Sequence, residues 1–296
     1  MGSGRVNVLI SLYNGEQFIE EQIDSIMKQT YPHYHIYIRD DGSSDSGIEK
    51  IKQYIPTGKI TIVQGENIGY AKSFMELLRI SSDGEYWAFC DQDDVWFPEK
   101  LQWAMDWIKQ QDRDIPCLFH SAYENTDQEL NHINYYSVPK YKYDFRRALT
   151  ECLYYGFSMV FNKKLRELML EANVSNIVSH DWWATLIAVK FGKCQFDKRV
   201  ASQHRRHSES VTLNSLSRKW KWLFRSIKEG NLVGNNADEF ERLFGQKLDK
   251  KERFYLQLFT QKNIKTALFK TFYLGRWRPS WDSELAIRLL MLLGKN

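Results

Sequence analysis

Asp91-Gln92-Asp93-Asp94 constrains this chain more than any other stretch. Tyr86-Trp87-Ala88-Phe89-Cys90, just before it, is short, apolar and aromatic, and reads as a buried strand. Three carboxylates therefore crowd the strand's C-terminal end, where open α/β sheets place their ligands. Like charges this close repel unless a cation or a hydrogen-bond network offsets them. Mg²⁺ or Mn²⁺ suits such a place, taking oxygen ligands from one or two carboxylates and from substrate phosphates. A metal–diphosphate site at Asp91 and Asp93 is the sharper reading. An acidic loop capping a helix that starts near Pro98 is the plainer one.

The preceding sequence supplies a frame for that strand. Val6–Leu12 reads as a buried strand, a helix follows from about Glu16 to Gln29, and His35–Arg39 reads as a second strand. This strand–helix–strand unit is of the kind that builds parallel nucleotide-binding sheets. Asp40-Asp41-Gly42-Ser43 ends the second strand, placed to meet a ribose or base or simply to make a turn. Lys59–Val63 is a third strand, and a helix runs from about Tyr70 to Ile80. Lys72 sits in that helix's first turn, where a cation opposes the dipole unless an anion is near. The helix after the acidic loop, Pro98–Gln111, closes this half near Asp112.

The rest is more mixed. Pro116–Ser121, Gly156–Asn162 and Gln195–Val200 read as strands, and Lys163–Ala172 as a helix. Asn125–Tyr143 has no clear period and suits a loop over a pocket. Ser179-His180-Asp181-Trp182 opens another helix, and Gln203–Ser208 is a cationic knot expected on a loop. From Ser215 to Asn296 there are 17 Lys/Arg and 8 Asp/Glu, so a basic tail follows an acidic body although the whole chain carries only +4. Leu216, Trp220, Leu223, Phe224 and Ile227 share a helical face, and Leu285, Leu289, Leu292 and Leu293 make a second stripe. Each fits either a membrane interface or ordinary helix packing. No run approaches the ~20 apolar residues that span a bilayer. No signal peptide is expected, since the sequence enters a strand-like run almost at once, and four scattered cysteines suggest free thiols in a reducing compartment.

Taken in order, Ser11-Leu12-Tyr13-Asn14, Asp40-Asp41-Gly42-Ser43, Asn67-Ile68-Gly69, Asp91-Gln92-Asp93-Asp94, Asp181 and Arg205-Arg206-His207 resemble family 2 glycosyltransferases of the GT-A fold. The resemblance covers about Val6 to Val211. The Asp91–Asp94 motif with Trp96 and Pro98 looks most like bacterial rhamnosyltransferases that build surface polysaccharides. It implies an α/β fold with a mainly parallel sheet flanked by helices and a C-terminal helical extension. The catalytic domain would span 1–214, with a nucleotide-sugar half (5–112) and an acceptor half (113–214), followed by a basic, aromatic helical region (215–296).

The same resemblance implies roles. Asp181 is the catalytic base, preceded here by His180 where the family often has Glu. Leu12, Tyr13, Asn14, Asp40, Asp41, Asn67, Gly69, Lys72, Asp91 and Gln92 border the donor nucleotide. Asp93 and His207 hold Mn²⁺ or Mg²⁺, and Arg205 and Arg206 meet the diphosphate. Asp94, Trp96, Gly156, His180 and Trp182 lie toward the acceptor. The donor is a dTDP- or UDP-sugar, dTDP-rhamnose first, and the acceptor a glycan, lipid-linked. The expected location is the cytoplasmic face of the cell membrane, held peripherally by the C-terminal helices, which suit a homodimer contact as well.

Three other readings fit less well. A sugar nucleotidyltransferase needs a Gly-rich, Arg-containing loop after the first strand, which Leu12-Tyr13-Asn14-Gly15-Glu16 does not provide. A nucleic-acid binder would place its basic residues around a recognisable motif, and no nucleic-acid partner is expected. Zinc held by Cys194, His204 and His207 matches no common ligand spacing and has no evident fourth ligand.

Overall fold

The computed structural model of the chain describes residues 4–136, 143–206, 232–261, 263–278 and 281–294. Its strands are β1 Val6–Leu12, β2 Tyr34–Asp40, β3 Ile60–Gln64, β4 Tyr86–Cys90, β5 Val95–Trp96, β6 Cys117–Thr126, β7 His132–Tyr135, β8 Met159–Asn162 and β9 Lys193–Arg205. They form one mixed sheet in the order β3-β2-β1-β4-β8-β6-β9-β5, with β7 paired to β6. β1 to β4 are parallel to one another, and Leu12, Asp40 and Gln64 lie in register at one edge. β8 runs antiparallel between β4 and β6, and β9 returns parallel to β6. Together with flanking and C-terminal helices, this is the expected GT-A architecture.

The period of two along each strand decides the layers. Val6, Val8, Ile10 and Leu12 of β1, with Ala88 and Cys90 of β4, pack against α1 (Ile19–Met27) and the helix Lys100–Ile108. Leu9, Trp87 and Phe89 point the other way. There they meet the helices Tyr70–Ile80, Lys163–Leu170 and His180–Phe191. In chain order the helices after α1 are α2 Gly47–Lys52, α3 Tyr70–Ile80, α4 Lys100–Ile108, α5 Phe145–Ala148, α6 Lys163–Leu170 and α7 His180–Phe191. The last four are α8 Leu232–Phe244, α9 Lys250–Thr260, α10 Ile264–Phe272 and α11 Trp281–Leu292. Phe240, Phe244, Phe259, Trp277 and Met291 join the same apolar cluster as Trp183 of α7, so α8, α9 and α11 share a core with the helices on this face of the sheet.

Two stretches differ from expectation. Gln203, His204 and Arg205 are not on a loop: they end β9, which is 13 residues long where a short strand over 195–200 is expected. Bulges against β6 near Ser121 to Glu124 let β9 continue past the point where its apolar pattern fades. Within 125–143, Asn125 and Thr126 belong to β6, and β7 folds back on them as a hairpin. The helix expected at 216–227 lies outside the described residues. All four cysteines are free thiols. Among the described residues no helix is long and apolar enough to cross a membrane.

Candidate active site

The acidic loop leaves β4 and is fastened at once by β5. Val95 pairs with Gln203 and Trp96 with Ser202, antiparallel. Extending that register by one step sets Asp94 opposite His204. The Asp94 carboxylate, fully buried, accepts from His204 Nδ1 at 2.8 Å and from the Arg205 backbone N at 3.2 Å, both on Oδ1. With the proton on Nδ1, His204 Nε2 carries a lone pair. Neither Nε2 nor Asp94 Oδ2, both buried, has a hydrogen-bond partner among the described residues. One ligand atom each from Asp91, Asp94 and His204 lies within 4.8 Å of the others. Two carboxylates and an imidazole, with two buried polar atoms left over, fit a divalent cation such as Mn²⁺ or Mg²⁺.

The local field agrees. Burial, then Asp94, Asp93 and Asp181, hold the Asp91 carboxyl well above the usual carboxylate range, partly offset by Lys100. Lys100 is a buried cation in the first turn of α4. Its Nζ donates to the Phe157 carbonyl at 2.8 Å and lies 4.6 Å from the Trp96 ring centre. Burial pulls its pKa down to about 8, while Cys90, Asp94 and Asp91 pull it back up. Lys100 thus supplies a fixed positive charge beneath the loop and ties it to the 156–158 turn. Lys100→Met keeps the stem but leaves the Phe157 carbonyl without its donor, a loss of about 2 kcal/mol. Thermal melts should show that loss in metal-free protein, and Mn²⁺ should recover part of it by neutralising the same carboxylates. Equal losses with and without Mn²⁺ would separate Lys100 from the acidic loop.

Asp181 approaches from the other half of the chain, on the first turn of α7. Its Oδ2 accepts from Gly156 N at 3.3 Å, and its Oδ1 accepts from Ser179 Oγ at 2.5 Å and Trp182 N at 2.7 Å. Its charge is among those that raise the Asp91 carboxyl. Gly156 is glycine by need: an added Cβ would sit 2.7 Å from His180 Nε2.

At the β1 and β2 edge the loops are stitched together. Gln92 accepts from Tyr13 N at 2.8 Å and donates to Tyr13 O at 3.1 Å. Asn14, at φ 47, accepts from Ser44 N at 2.9 Å. Asp40 accepts from Ser43 N at 2.9 Å in a turn that needs Gly42 at φ 81. Tyr13, Asn14, Asn67 and Lys72 remain exposed around this mouth, with Gly69 at φ 82 starting α3.

Several of the expected site side chains are buried or bonded within the fold. Leu12 is buried in the core. Asp41 is buried against Arg39 and accepts from the Ile68 and Gly69 amides, so its carboxylate serves the fold. Arg205 is buried too, donating to Asp93 O at 2.9 Å, to Glu21 at 2.5 Å and to Gln128 O, so its guanidinium is engaged within the fold. Trp96 is buried, and Trp182 is largely so, its indole donating to Ala148 O at 2.7 Å. Asp93 is not in the Asp91–Asp94–His204 group. Arg206 bonds Asn125 Oδ1 at 2.9 Å, and His207 lies outside the described residues. Lys100 is not among the residues expected from the sequence, and His204 enters there only as a zinc ligand with Cys194 and His207. For Lys100 the signal was the one applied to Lys72, a cation in a helix's first turn, here directly after three carboxylates.

His180 also turns inward, 4.1 Å from the Phe74 ring centre and 4.4 Å from that of Phe89. Burial lowers its pKa to about 4, with Asp181 pulling slightly upward. The folded value is below the unfolded one, about 6.5, so its contribution is intact above pH 6.5 and is lost as pH falls toward 4. His180→Phe should therefore lose about 2 kcal/mol less stability than the parent between pH 7.5 and pH 5, measured by denaturant melts. Parallel losses would place the imidazole in water.

Comparison with known proteins gives a consistent answer. The family model for glycosyl transferase family 2 matches residues 7–169. An uncharacterized glycosyltransferase of Rickettsia conorii is 25% identical over 211 residues, covering 69% of this chain and 34% of that protein. The chain thus spans about a third of that relative's length. One from Methanocaldococcus jannaschii is 29% identical, covering 62% of this chain and 64% of its own. Among solved structures, Staphylococcus aureus TarS 1–349 in complex with UDP-GlcNAc has a TM-score of 0.58 at 14% identity, covering 98% of this chain and 92% of that one. The mannosyltransferase PcManGT of Pyrobaculum calidifontis, in complex with GDP-Man and Mn²⁺, has a TM-score of 0.57 at 15% identity, covering 98% and 86%. At these identities the two structures speak for the fold.

Proposed function

The chain belongs to glycosyltransferase family 2, and on that premise we propose that it moves a sugar, with inversion, from a nucleoside-diphosphate donor to a glycan acceptor. The observation that carries this reading is the grouping of Asp91, Asp94 and His204 at the end of β4, with the Asp181 charge near enough to raise the Asp91 carboxyl. The first three would hold Mn²⁺ or Mg²⁺, with Asp93 beside them as the motif implies. When bound, the metal supplies positive charge to the diphosphate leaving group.

The chain's own residues do the rest. Asp181, its oxygens oriented by Gly156 N and Ser179 Oγ, would take the proton from the acceptor hydroxyl. A single base facing the donor carbon implies one displacement and inversion. Asp40 would meet the nucleobase by exchanging its turn bond, with Tyr13, Asn14, Asn67 and Lys72 around base, ribose and phosphates. Gln92 would act through the Tyr13 backbone. Arg206 and His207 would add positive charge at the diphosphate.

Donor and acceptor are the finer part of the proposal. TarS with UDP-GlcNAc and PcManGT with GDP-Man support the nucleotide-sugar class. dTDP-rhamnose is the first donor to test, on the Asp91–Asp94 motif with Trp96 and Pro98. UDP-hexoses and UDP-amino sugars come next. The acceptor would be a lipid-linked glycan of a surface polymer, met at the inner face of the cell membrane. A relative from Bacillus subtilis, 31% identical over 105 residues, is named a putative teichuronic acid biosynthesis glycosyltransferase, TuaG, which supports that setting. Proton NMR of the purified chain with each donor and Mn²⁺ tests the reading. Metal-dependent release of the nucleoside diphosphate with inversion at the anomeric carbon is expected; retention would require a different catalytic residue.

A further inference from the structure

The last two helices carry an apolar face that the core does not use. On α10, Ile264, Leu268 and Phe272 recur every four residues and are exposed, with Phe269 beside them. On α11, Trp281, Leu285, Leu289 and Leu292 are exposed in the same way, with Leu293 just beyond its end. The opposite side of α11 is already spent on the core, with Ile287, Leu290 and Met291 buried. Exposure is high where water penalises it most: 76% for Ile264, 71% for Phe272, 69% for Trp281 and 65% for Leu285. α10 and α11 pack on each other, and Leu274 projects fully exposed from the turn between them. Isolated exposed leucines need no explanation, but two full stripes on packed helices mark a docking surface.

Charge says what docks. Residues 262–296 hold seven Lys/Arg and two Asp/Glu. One of those acids, Glu284, is buried in an ion pair with Arg288 at 2.6 Å, and Lys270 is buried as well, so among the described residues of this segment Lys265 and Asp282 are the exposed charges, with Arg276 half-buried. Lys265 is exposed beside the α10 stripe, and the Arg276 guanidinium lies 3.7 Å from the Trp281 ring centre. A second copy placed on this face would bring Lys265 and Arg276 of each copy to one seam, with Asp282 the one exposed carboxylate per copy among the described residues of this segment. An anionic bilayer offers apolar depth and negative charge at once, and Trp with Arg at the rim suits the headgroup level.

We propose that the outer face of the α10–α11 hairpin is a membrane-docking surface that lies in the plane of an anionic bilayer. It deepens the lipid-linked acceptor reading above and rests on it for its biological purpose, while the binding itself needs no glycosyl transfer. The test is flotation of the full chain with phosphatidylcholine vesicles, with and without phosphatidylglycerol, at low and high salt. Vesicles without glycan keep the outcome independent of the acceptor.

The parent chain should float with anionic vesicles, less so in high salt, and poorly with neutral ones. The double variant Phe272→Glu/Leu285→Glu changes two exposed positions and should partition at least about tenfold less. Its melting temperature and its donor hydrolysis should match the parent. No flotation of the parent would overturn the proposal. Equal flotation of parent and variant would do so too, by moving the contact to another segment. A parent dimer that the variant converts to monomer, with vesicle binding unchanged, would assign the face to a second copy instead.

Discussion

Asp181→Asn should lower kcat by about 10³-fold while leaving nucleoside-diphosphate affinity within about twofold of the parent. The amide keeps the shape of the carboxylate and, with its oxygen in the Oδ1 place, still accepts from Ser179 Oγ and Trp182 N, while the bond from Gly156 N to Oδ2 is lost. It cannot take a proton, so the acceptor hydroxyl would attack unassisted. Asp181 stands on α7 and none of its hydrogen bonds runs to the β1 or β2 loops, which is why donor binding should be spared. Isothermal titration with the nucleotide and initial rates with the donor separate the two effects. Loss of nucleotide affinity in this variant would make Asp181 a donor-site residue. A small kcat effect would move the base elsewhere.

Asp91→Asn should abolish the metal dependence of donor binding, weakening Mn²⁺-supported affinity by about 100-fold or more. Asp91 is the carboxylate common to the motif's own pair, Asp91 and Asp93, and to the group seen with Asp94 and His204. It also carries the raised pKa that a divalent cation would bring down. The neutral amide relieves repulsion in the metal-free loop, so this variant should melt no lower than the parent without metal and lose the parent's gain on adding Mn²⁺. Asp94→Asn should weaken metal binding as well, because the bonds from His204 Nδ1 and Arg205 N can persist on Oδ1 while the second oxygen is lost. Asp93→Ala is the informative contrast. Lost metal dependence gives Asp93 a ligand role beside the other three; unchanged dependence assigns the cation to Asp91, Asp94 and His204.

The parallel half of the sheet was readable because its strands are short apolar runs closed by Asn, Asp and Gly. The helix at Tyr70–Ile80 follows its periodicity to the residue. What the pattern could not carry was long-range register. β5 is two residues long and has no periodicity to read, yet it alone brings Asp94 to His204. Arg205 looks like a phosphate ligand in sequence. Only the length of β9 reveals that its guanidinium is enclosed by Glu21, Gln128 and the Asp93 carbonyl. Asp41 was indistinguishable from Asp40 until Arg39 folded onto it. In α11 the apolar residues on both sides left open which side meets the core. The structure buries Ile287, Leu290 and Met291 and leaves the Leu285–Leu289 stripe outside.

Calorimetric titration of the folded chain with dTDP, UDP, GDP and ADP, each with and without Mn²⁺, tests the proposed donor site most directly. Binding of dTDP or UDP that depends on Mn²⁺ is the predicted result, and which of the two binds chooses between the rhamnose donor and a UDP-sugar. Absence of binding by all four nucleotides would contradict a donor site built on Asp40, Asp91, Asp94 and His204.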